Sequence, residues 1–255
     1  MQKVYIPESN LFSRKENFRQ ACTANGKFKF LMEMTKTERL KAQMHNHHLT
    51  GGMAFTDDEY GFPIISAYTG PTDFVYVPFS SKKDIAISDN IAVMFFEDDY
   101  KFHYATWYNL DVTTYKLLPY TTLVAPDHSL YVDMSDAVNI EMIYKSRFAG
   151  AFWQLCGFEM IPTASWGKAD SFRYCFRGLP QNSVIAVCGM GTDWCDAAKE
   201  LWNMGIRELV SQLSPRQIIV FGEERDVPGV STPLKFVAPY VKRKLKKLEK
   251  NNGRK

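Results

Sequence analysis

The sequence predicts an α/β fold with a mainly parallel sheet and alternating helices, and an incomplete or distorted (β/α) barrel is one form it can take. Three observations predict this. Short apolar runs end abruptly in polar or glycine residues: Ile91–Phe96 before Glu97-Asp98-Asp99, Thr122–Ala125 before Asp127-His128-Ser129, Met160–Pro162 before Ser165-Trp166, Val184–Val187 before Gly189-Met190-Gly191, and Gln217–Phe221 before Gly222-Glu223-Glu224. Helix-compatible stretches lie between the later runs. Ile91–Phe96 is apolar at every position, as a strand covered on both faces should be. Strand, polar tip, helix, strand is the order of a parallel sheet, and ligands of such sheets bind at the carboxyl ends of the strands.

Taken in order, the elements begin with Thr35-Lys36-Thr37-Glu38, a capping-box pattern that opens a short helix through Met44. Gly51-Gly52 breaks the chain, and Asp57–Gly61 reads as a turn. Pro63–Ile65 and Phe74–Phe79 read as short strands around Gly70-Pro71. Ile85–Ile87 is ambiguous. Tyr100–Asn109 carries five aromatic side chains in ten positions. Asp133–Asp136 starts a helix that runs to about Leu155 and stops at Gly157, a residue suited to the left-handed position after a helix. Phe158–Thr163 is a strand. Asp170 or Ser171 caps a short helix ending at Gly178. Ser183–Cys188 is a strand, and Asp193–Leu213 is a helix interrupted near Gly205 and closed by Pro215. Arg216–Phe221 is a further strand, and Val241–Lys250 is compatible with a helix.

The chain divides into a section of 1–60 that is partly helical, an α/β core of 61–235 and a basic tail of 236–255. No repeat, low-complexity segment or linker separates them, so one compact domain is expected. A hydrophobic content of 45% is enough for a sizeable core. No apolar run approaches the ~20 residues that span a bilayer. No signal-like segment follows Met1-Gln2-Lys3-Val4-Tyr5. A cytoplasmic protein without a membrane partner is expected. The five cysteines, Cys22, Cys156, Cys175, Cys188 and Cys195, form no Cys-x-x-Cys pair, which favours reduced thiols over a structural zinc site. The net charge of +3 is made by the tail: Phe236–Lys255 holds eight Lys/Arg and one Glu, and the rest of the chain is net acidic. A body that gripped a nucleic-acid backbone would carry its basic charge on the main surface.

Several blocks resemble one family. They are Phe96-Glu97-Asp98-Asp99-Tyr100-Lys101-Phe102, Pro126-Asp127-His128-Ser129-Leu130-Tyr131, Tyr144-Lys145-Ser146-Arg147-Phe148-x-Gly150-Ala151 and Ile161-Pro162-Thr163-x-Ser165-Trp166. Cys175-Phe176-x-Gly178-Leu179-Pro180 and the strand ending in Phe221-Gly222 fit as well. In this order they resemble domain of unknown function 4417, a family of bacteria, phages and mobile elements. The resemblance spans roughly residues 61–224. It implies a phage or mobile-element setting and a site location, and it brings no activity. The chain departs from the family at His128, where an aromatic residue is expected.

The candidate site is the rim formed by the strand tips. Adjacent carboxylates at a strand mouth can split their pKa values into an acid and a base, or bind Mg²⁺ or Mn²⁺. Asp98 and Asp99 are therefore candidate catalytic or metal-binding residues, and a solvated turn is the alternative for them. Asp127 is a third candidate catalytic residue, and Asp127 with Ser129 can equally close a turn. Trp166 is placed to stack on a base or sugar, or to pack as a lid. Arg147 can pair with an anion or pin its helix to an acidic loop. Gly189 and Gly191 can bring backbone amides to an anion or form an ordinary turn; the full dinucleotide and Walker patterns are absent. Glu223 adds acid to the rim. His45, His47 and His48 form a histidine cluster that reads as a metal site or a helix end. The basic run Lys242–Lys247 reads as a contact for nucleic acid or as a solvated helix face.

The function expected from these residues is acid/base or metal-assisted hydrolysis of a nucleotide-like or nucleic-acid substrate. The alternative is a non-catalytic factor that binds nucleic acid, a small nucleotide or a host protein. A scaffold whose rim acids merely pair with Arg147, Arg173 or Arg177 is the third reading.

Overall fold

The computed structural model describes residues 13–18, 35–84 and 86–240. The basic run Lys242–Lys247 and the 241–250 helix expected from the sequence lie outside the described residues, as does Cys22.

Eight strands form two four-stranded sheets. β1 (Val75–Pro78), β2 (Ile91–Met94), β3 (Thr122–Val124) and β4 (Glu159–Ile161) make one. β5 (Thr163–Ala164), β6 (Val184–Cys188), β7 (Gln217–Phe221) and β8 (Leu234–Val237) make the other. Every pairing in both sheets is parallel, and neighbours in space are neighbours in sequence. One residue, Pro162, separates β4 from β5. Proline has no amide hydrogen to give to a ladder, so the pairing breaks there. Its carbonyl still accepts from the Ala186 amide of β6 at 2.8 Å, which carries the chain from the first sheet into the second.

Strand residues alternate between two environments, as the two-residue pleat requires. Ile91 and Val93 pack outward with Leu123 under the helices of the first sheet. Ile185, Val187, Ile218 and Val220 do the same in the second. The residues between them, Ala92, Met94, Val124, Ala186, Ile219 and Phe221, share an inner cluster with Tyr76 of β1 and Val237 of β8. Phe221 stacks on Phe96 (centroids 4.2 Å apart) and meets Tyr76 edge-on at 5.1 Å. Lys235 of β8 bonds the Thr72 carbonyl and the Asp73 carboxylate just ahead of β1. Among the described residues no ladder joins β8 to β1. The fold is α/β with two parallel sheets around one inner core and no closed barrel.

The helices lie outside. Asp136–Leu155 follows the N-cap Ser135, within the Asp133–Asp136 start expected from the sequence, and its buried side chains run from Asn139 to Trp153. Gly157 ends it at φ 84°, the left-handed stop that the glycine suggested. Thr35 and Glu38 close the expected capping box on Lys36–His45. The expected break at Gly205 is absent: Asp196–Leu213 is continuous, because the glycine makes room for a neighbouring side chain rather than bending the helix. The expected strand at Pro63–Ile65 reduces to one antiparallel bridge between Phe55 and Pro63. Tyr100–Asn109 forms helical turns, one widened so that the Asn109 amide reaches the Tyr104 carbonyl. β8 and the helix Leu110–Leu117 were not anticipated; β8 is a half-exposed edge strand with a lysine at its second position.

Candidate functional site

The tips of β3, β5 and β6 meet at one cavity of about 560 Å³. Two hydroxyls fix the β3 tip. Thr163 donates to the Ala125 carbonyl and Ser146 to the Pro126 carbonyl, both at 2.7 Å. Asp127 follows directly and lines the cavity, as do Ser129, then Ser165 and Trp166 beyond β5, and Cys188 at the end of β6. The first turns of the Asp196–Leu213 helix form the facing wall, with Ala198, Leu201 and Trp202.

Asp127 is the electrostatic centre of this space. Its Oδ1 is sealed from solvent and has no hydrogen-bond partner. Burial, and then the nearby charge of Asp99, push its carboxyl up to about 7 from an ordinary 3.8. Cys188, Ser165 and the charge of Arg147 pull in the opposite direction without overcoming burial. Burial drives the Cys188 thiol up, and the Asp127 charge adds to that shift, so a thiolate at this position is disfavoured. A carboxyl that exchanges its proton near neutral pH is suited to general acid/base work.

The walls are aromatic. Trp166 packs beside Trp202 (ring centroids 6.4 Å) and Phe176 (6.1 Å). A Cβ at Gly205 would overlap the Trp166 indole, so the helix can approach only with glycine there. Trp194 stands at the mouth with 79% of its surface exposed. Three of the five tryptophans of the chain therefore face one cavity.

The turn after β6 is held from behind. Arg225 donates to the Gly189 carbonyl and, at 2.8 Å, to the Thr192 hydroxyl, and its guanidinium lies over the Trp202 ring at 4.8 Å. Trp202 Nε1 donates to the Cys188 carbonyl at 2.7 Å. The Gly189 amide is committed to the Phe221 carbonyl at 2.9 Å. Gly191 lines the cavity at φ 68°, the left-handed region that glycine adopts without strain.

The other candidates are placed apart from the cavity or spent on neighbours. Asp98 is exposed and pairs with Lys101 at 2.7 Å. Asp99 accepts from both the amide and the hydroxyl of Ser129, at 3.1 and 3.0 Å, and so orients the β3 tip from outside. Arg147 is fully buried, and its guanidinium donates to the carbonyls of Arg177, Thr163 and Cys175. It ties three chain segments together and holds positive charge behind Asp127 without facing the cavity. Arg173 pairs with Asp136 and Arg177 with Asp58, away from the rim acids. Glu223 is exposed beyond β7 and does not line the cavity. His128 borders the cavity instead, and its ring is buried beside Phe102 (5.1 Å) and His103 (5.3 Å) with both nitrogens unbonded. Burial, then His103 and Lys145, lower it to about 3. The imidazole fills an aromatic slot, which explains why an aromatic side chain suits this position.

Asp98 and Asp99 do not fit a Mg²⁺ or Mn²⁺ site, since one is held by a lysine and the other by Ser129. Among the described residues no three His, Cys, Asp or Glu side chains are grouped as metal ligands would be, and this includes His45, His47 and His48. No helix among them is long and apolar enough to cross a membrane.

Ser165, Cys188, Trp194, Trp202 and Arg225 were not expected as parts of the site. Cys188 and Ser165 had a signal, since each closes a strand run as Asp127 does. Trp202 and Arg225 had none, because their places depend on how the helix and the β7 tip fold back over the turn.

The chain is similar to the Gene 1 protein of Mycobacterium phage L5, at 33% identity over 168 residues, covering 64% of this chain and 73% of that protein. It is also similar to the Gene 1 protein of Mycobacterium phage D29, at 31% over 181 residues, covering 68% and 67%. No solved structure matches. The model of the family described as a domain of unknown function, DUF4417, matches residues 56–234, which takes in β1 to β7 and only the first residue of β8. With that match across most of its length, the chain belongs to the DUF4417 family.

Proposed function

We propose that this cavity binds the flat part of a nucleotide-like molecule and that Asp127 exchanges a proton with it or with a water beside it, as an acid/base hydrolase would. The observation that carries the reading is the sealed, unpartnered Oδ1 of Asp127 in an aromatic-walled cavity at the strand tips. A buried acceptor without a partner costs about 1–3 kcal/mol, and rotation of the carboxyl toward the cavity would let a ligand N–H or a water recover it. Trp166 and Trp194 supply stacking surfaces worth about 1–3 kcal/mol per base. Ser165 and Cys188 would steer the carboxyl, and Asp99 would hold Ser129 at the opening. The chemistry uses no metal from Asp98 and Asp99. The setting is a host cell, as the phage relatives suggest.

The non-catalytic binding reading has one observation in its favour. Of the two carboxyls among the described lining residues, Asp133 is exposed, whereas two-carboxylate hydrolysis needs a second carboxyl held facing the same bond as Asp127. Tryptophan fluorescence titration with adenosine, guanosine, cytidine and thymidine, followed by chromatography of the mixtures, tests both readings. Quenching by at least one nucleoside is expected, and the Asp127→Asn variant should bind at least about tenfold more weakly with unchanged near-ultraviolet circular dichroism. Cleavage products that vanish in the variant support the hydrolase; binding without products supports the factor. A variant that binds and turns over like the parent protein rules Asp127 out.

A further inference from the structure

Resting on that reading of the same cavity, we infer that its ligand is an uncharged base or nucleoside, and that the cavity discriminates against nucleotides carrying phosphate. The inference comes from charge placement. Among the described residues no lysine or arginine lines the cavity. Two buried or partly buried arginines that touch its surrounding segments are spent elsewhere: Arg147 on three carbonyls, Arg225 on Gly189, Thr192 and the Trp202 ring. The lining histidine, His128, is held neutral in its aromatic slot. Two carboxyls, Asp127 and Asp133, do line the cavity, and either would repel a phosphate when ionised.

One feature would pull the other way. The N-terminus of the Asp196–Leu213 helix faces the cavity, and helix N-termini attract anions. Here it is met in part, at the Ala198 amide and by the charge of Asp196. Cys195 Sγ accepts from the Ala198 amide at 3.4 Å, the Cys195 carbonyl accepts from the Lys199 amide at 3.0 Å, and the Asp196 carboxylate sits in the first turn. The negative charge of Asp196 in that first turn offsets part of the dipole's pull on a phosphate.

The remaining polar groups suit a heterocycle. Asp127 Oδ1 needs a donor, the Ser165 hydroxyl gives and accepts, and Trp166 and Trp194 offer ring faces. The volume of about 560 Å³ lies within the usual range for pockets that enclose a ligand of nucleoside size. A base edge that presents two N–H groups would bind the ionised carboxyl. An edge that presents one donor and one acceptor would bind the protonated form.

The experiment uses the full chain and matched series: each nucleoside, its 5′-monophosphate and its 5′-triphosphate, titrated by tryptophan fluorescence and calorimetry. The expected order is nucleoside tightest, with the triphosphate at least about tenfold weaker. The Asp133→Lys variant, which adds a cation at the exposed edge of the cavity, should narrow that gap. Equal or tighter binding of the phosphorylated members overturns the inference while leaving the base-binding reading standing. Binding of inorganic phosphate alone at the same site also overturns it. No response to any member of any series defeats both.

Discussion

Trp166 occupies the space that a side chain at position 205 would need. A Cβ built on Gly205 would overlap Cε2, Nε1 and Cζ2 of the Trp166 indole. The ring can line the cavity because the long helix behind it has no side chain at that point. This contact joins the β5 tip to the facing wall of the site.

Gly205→Ala should therefore act on the site and on stability together. The helix itself would gain about 1 kcal/mol from alanine. Displacing a packed indole costs about 1–3 kcal/mol or more, so a net loss is expected. Gly191→Ala is the control: nothing lies within 4 Å of its Cβ, and only the positive φ opposes the change. Urea unfolding and near-ultraviolet circular dichroism should show lost stability with an altered tryptophan signal for Gly205→Ala. A Gly205→Ala protein with parental stability and spectrum would refute the packing argument.

Asp127 and His128 should give stability opposite dependences on pH. Folded Asp127 keeps its proton to about 7, whereas in the unfolded chain it loses it near 3.8. Raising the pH through that window costs the native state. Folded His128 stays neutral down to about 3, whereas the unfolded ring takes up a proton near 6.5. Lowering the pH through that window also costs the native state. Relative to the parent, Asp127→Asn should gain stability as pH rises from 4 to 7. His128→Phe should gain as pH falls from 6.5 to 4. The limiting slope is about 1.4 kcal/mol per pH unit for one proton. His48, which burial and then His47 lower to about 4, is common to all three proteins and cancels in the differences. Urea midpoints measured every half unit decide it; parallel profiles for parent and variants would contradict both assignments.

His128→Phe should also be more stable than the parent at neutral pH, by about 1 kcal/mol. The slot beside Phe102 and His103 is aromatic, and the replacement removes two buried nitrogens without partners. Ligand binding should be retained. A large loss of binding in this variant would mean that the imidazole itself acts on the ligand.

Arg147→Lys should unfold far more easily than the parent, by about 3 kcal/mol or more. Lysine keeps the charge but not the planar spread that reaches Arg177, Thr163 and Cys175 together. Thermal unfolding should show the loss. If the variant melts like the parent and fails only in ligand binding, Arg147 acts on the ligand rather than on the fold.

Much of the strand framework was readable because buried parallel strands write themselves as unbroken apolar runs. Ile91–Met94, Val184–Cys188 and Gln217–Phe221 show this plainly. Leu234–Val237 was not readable, since an edge strand paired with one neighbour needs no such run. The expected break at Gly205 failed for a related reason. Local propensity gives glycine a bending role, and only the approach of Trp166 supplies the other.

The sequence by itself determined the alternation of the central strands with the two long helices, the polar character of their strand tips and the family. Those properties follow from apolar periodicity and local residue types, which act over a few positions. Only the tertiary structure decided that Asp127, Trp166 and Cys188 share one cavity while Asp98 and Glu223 stand apart from it and Arg147 is spent behind it. The reason is that a carboxyl's neighbours set its proton affinity, and here those neighbours arrive from strands and a helix far along the chain.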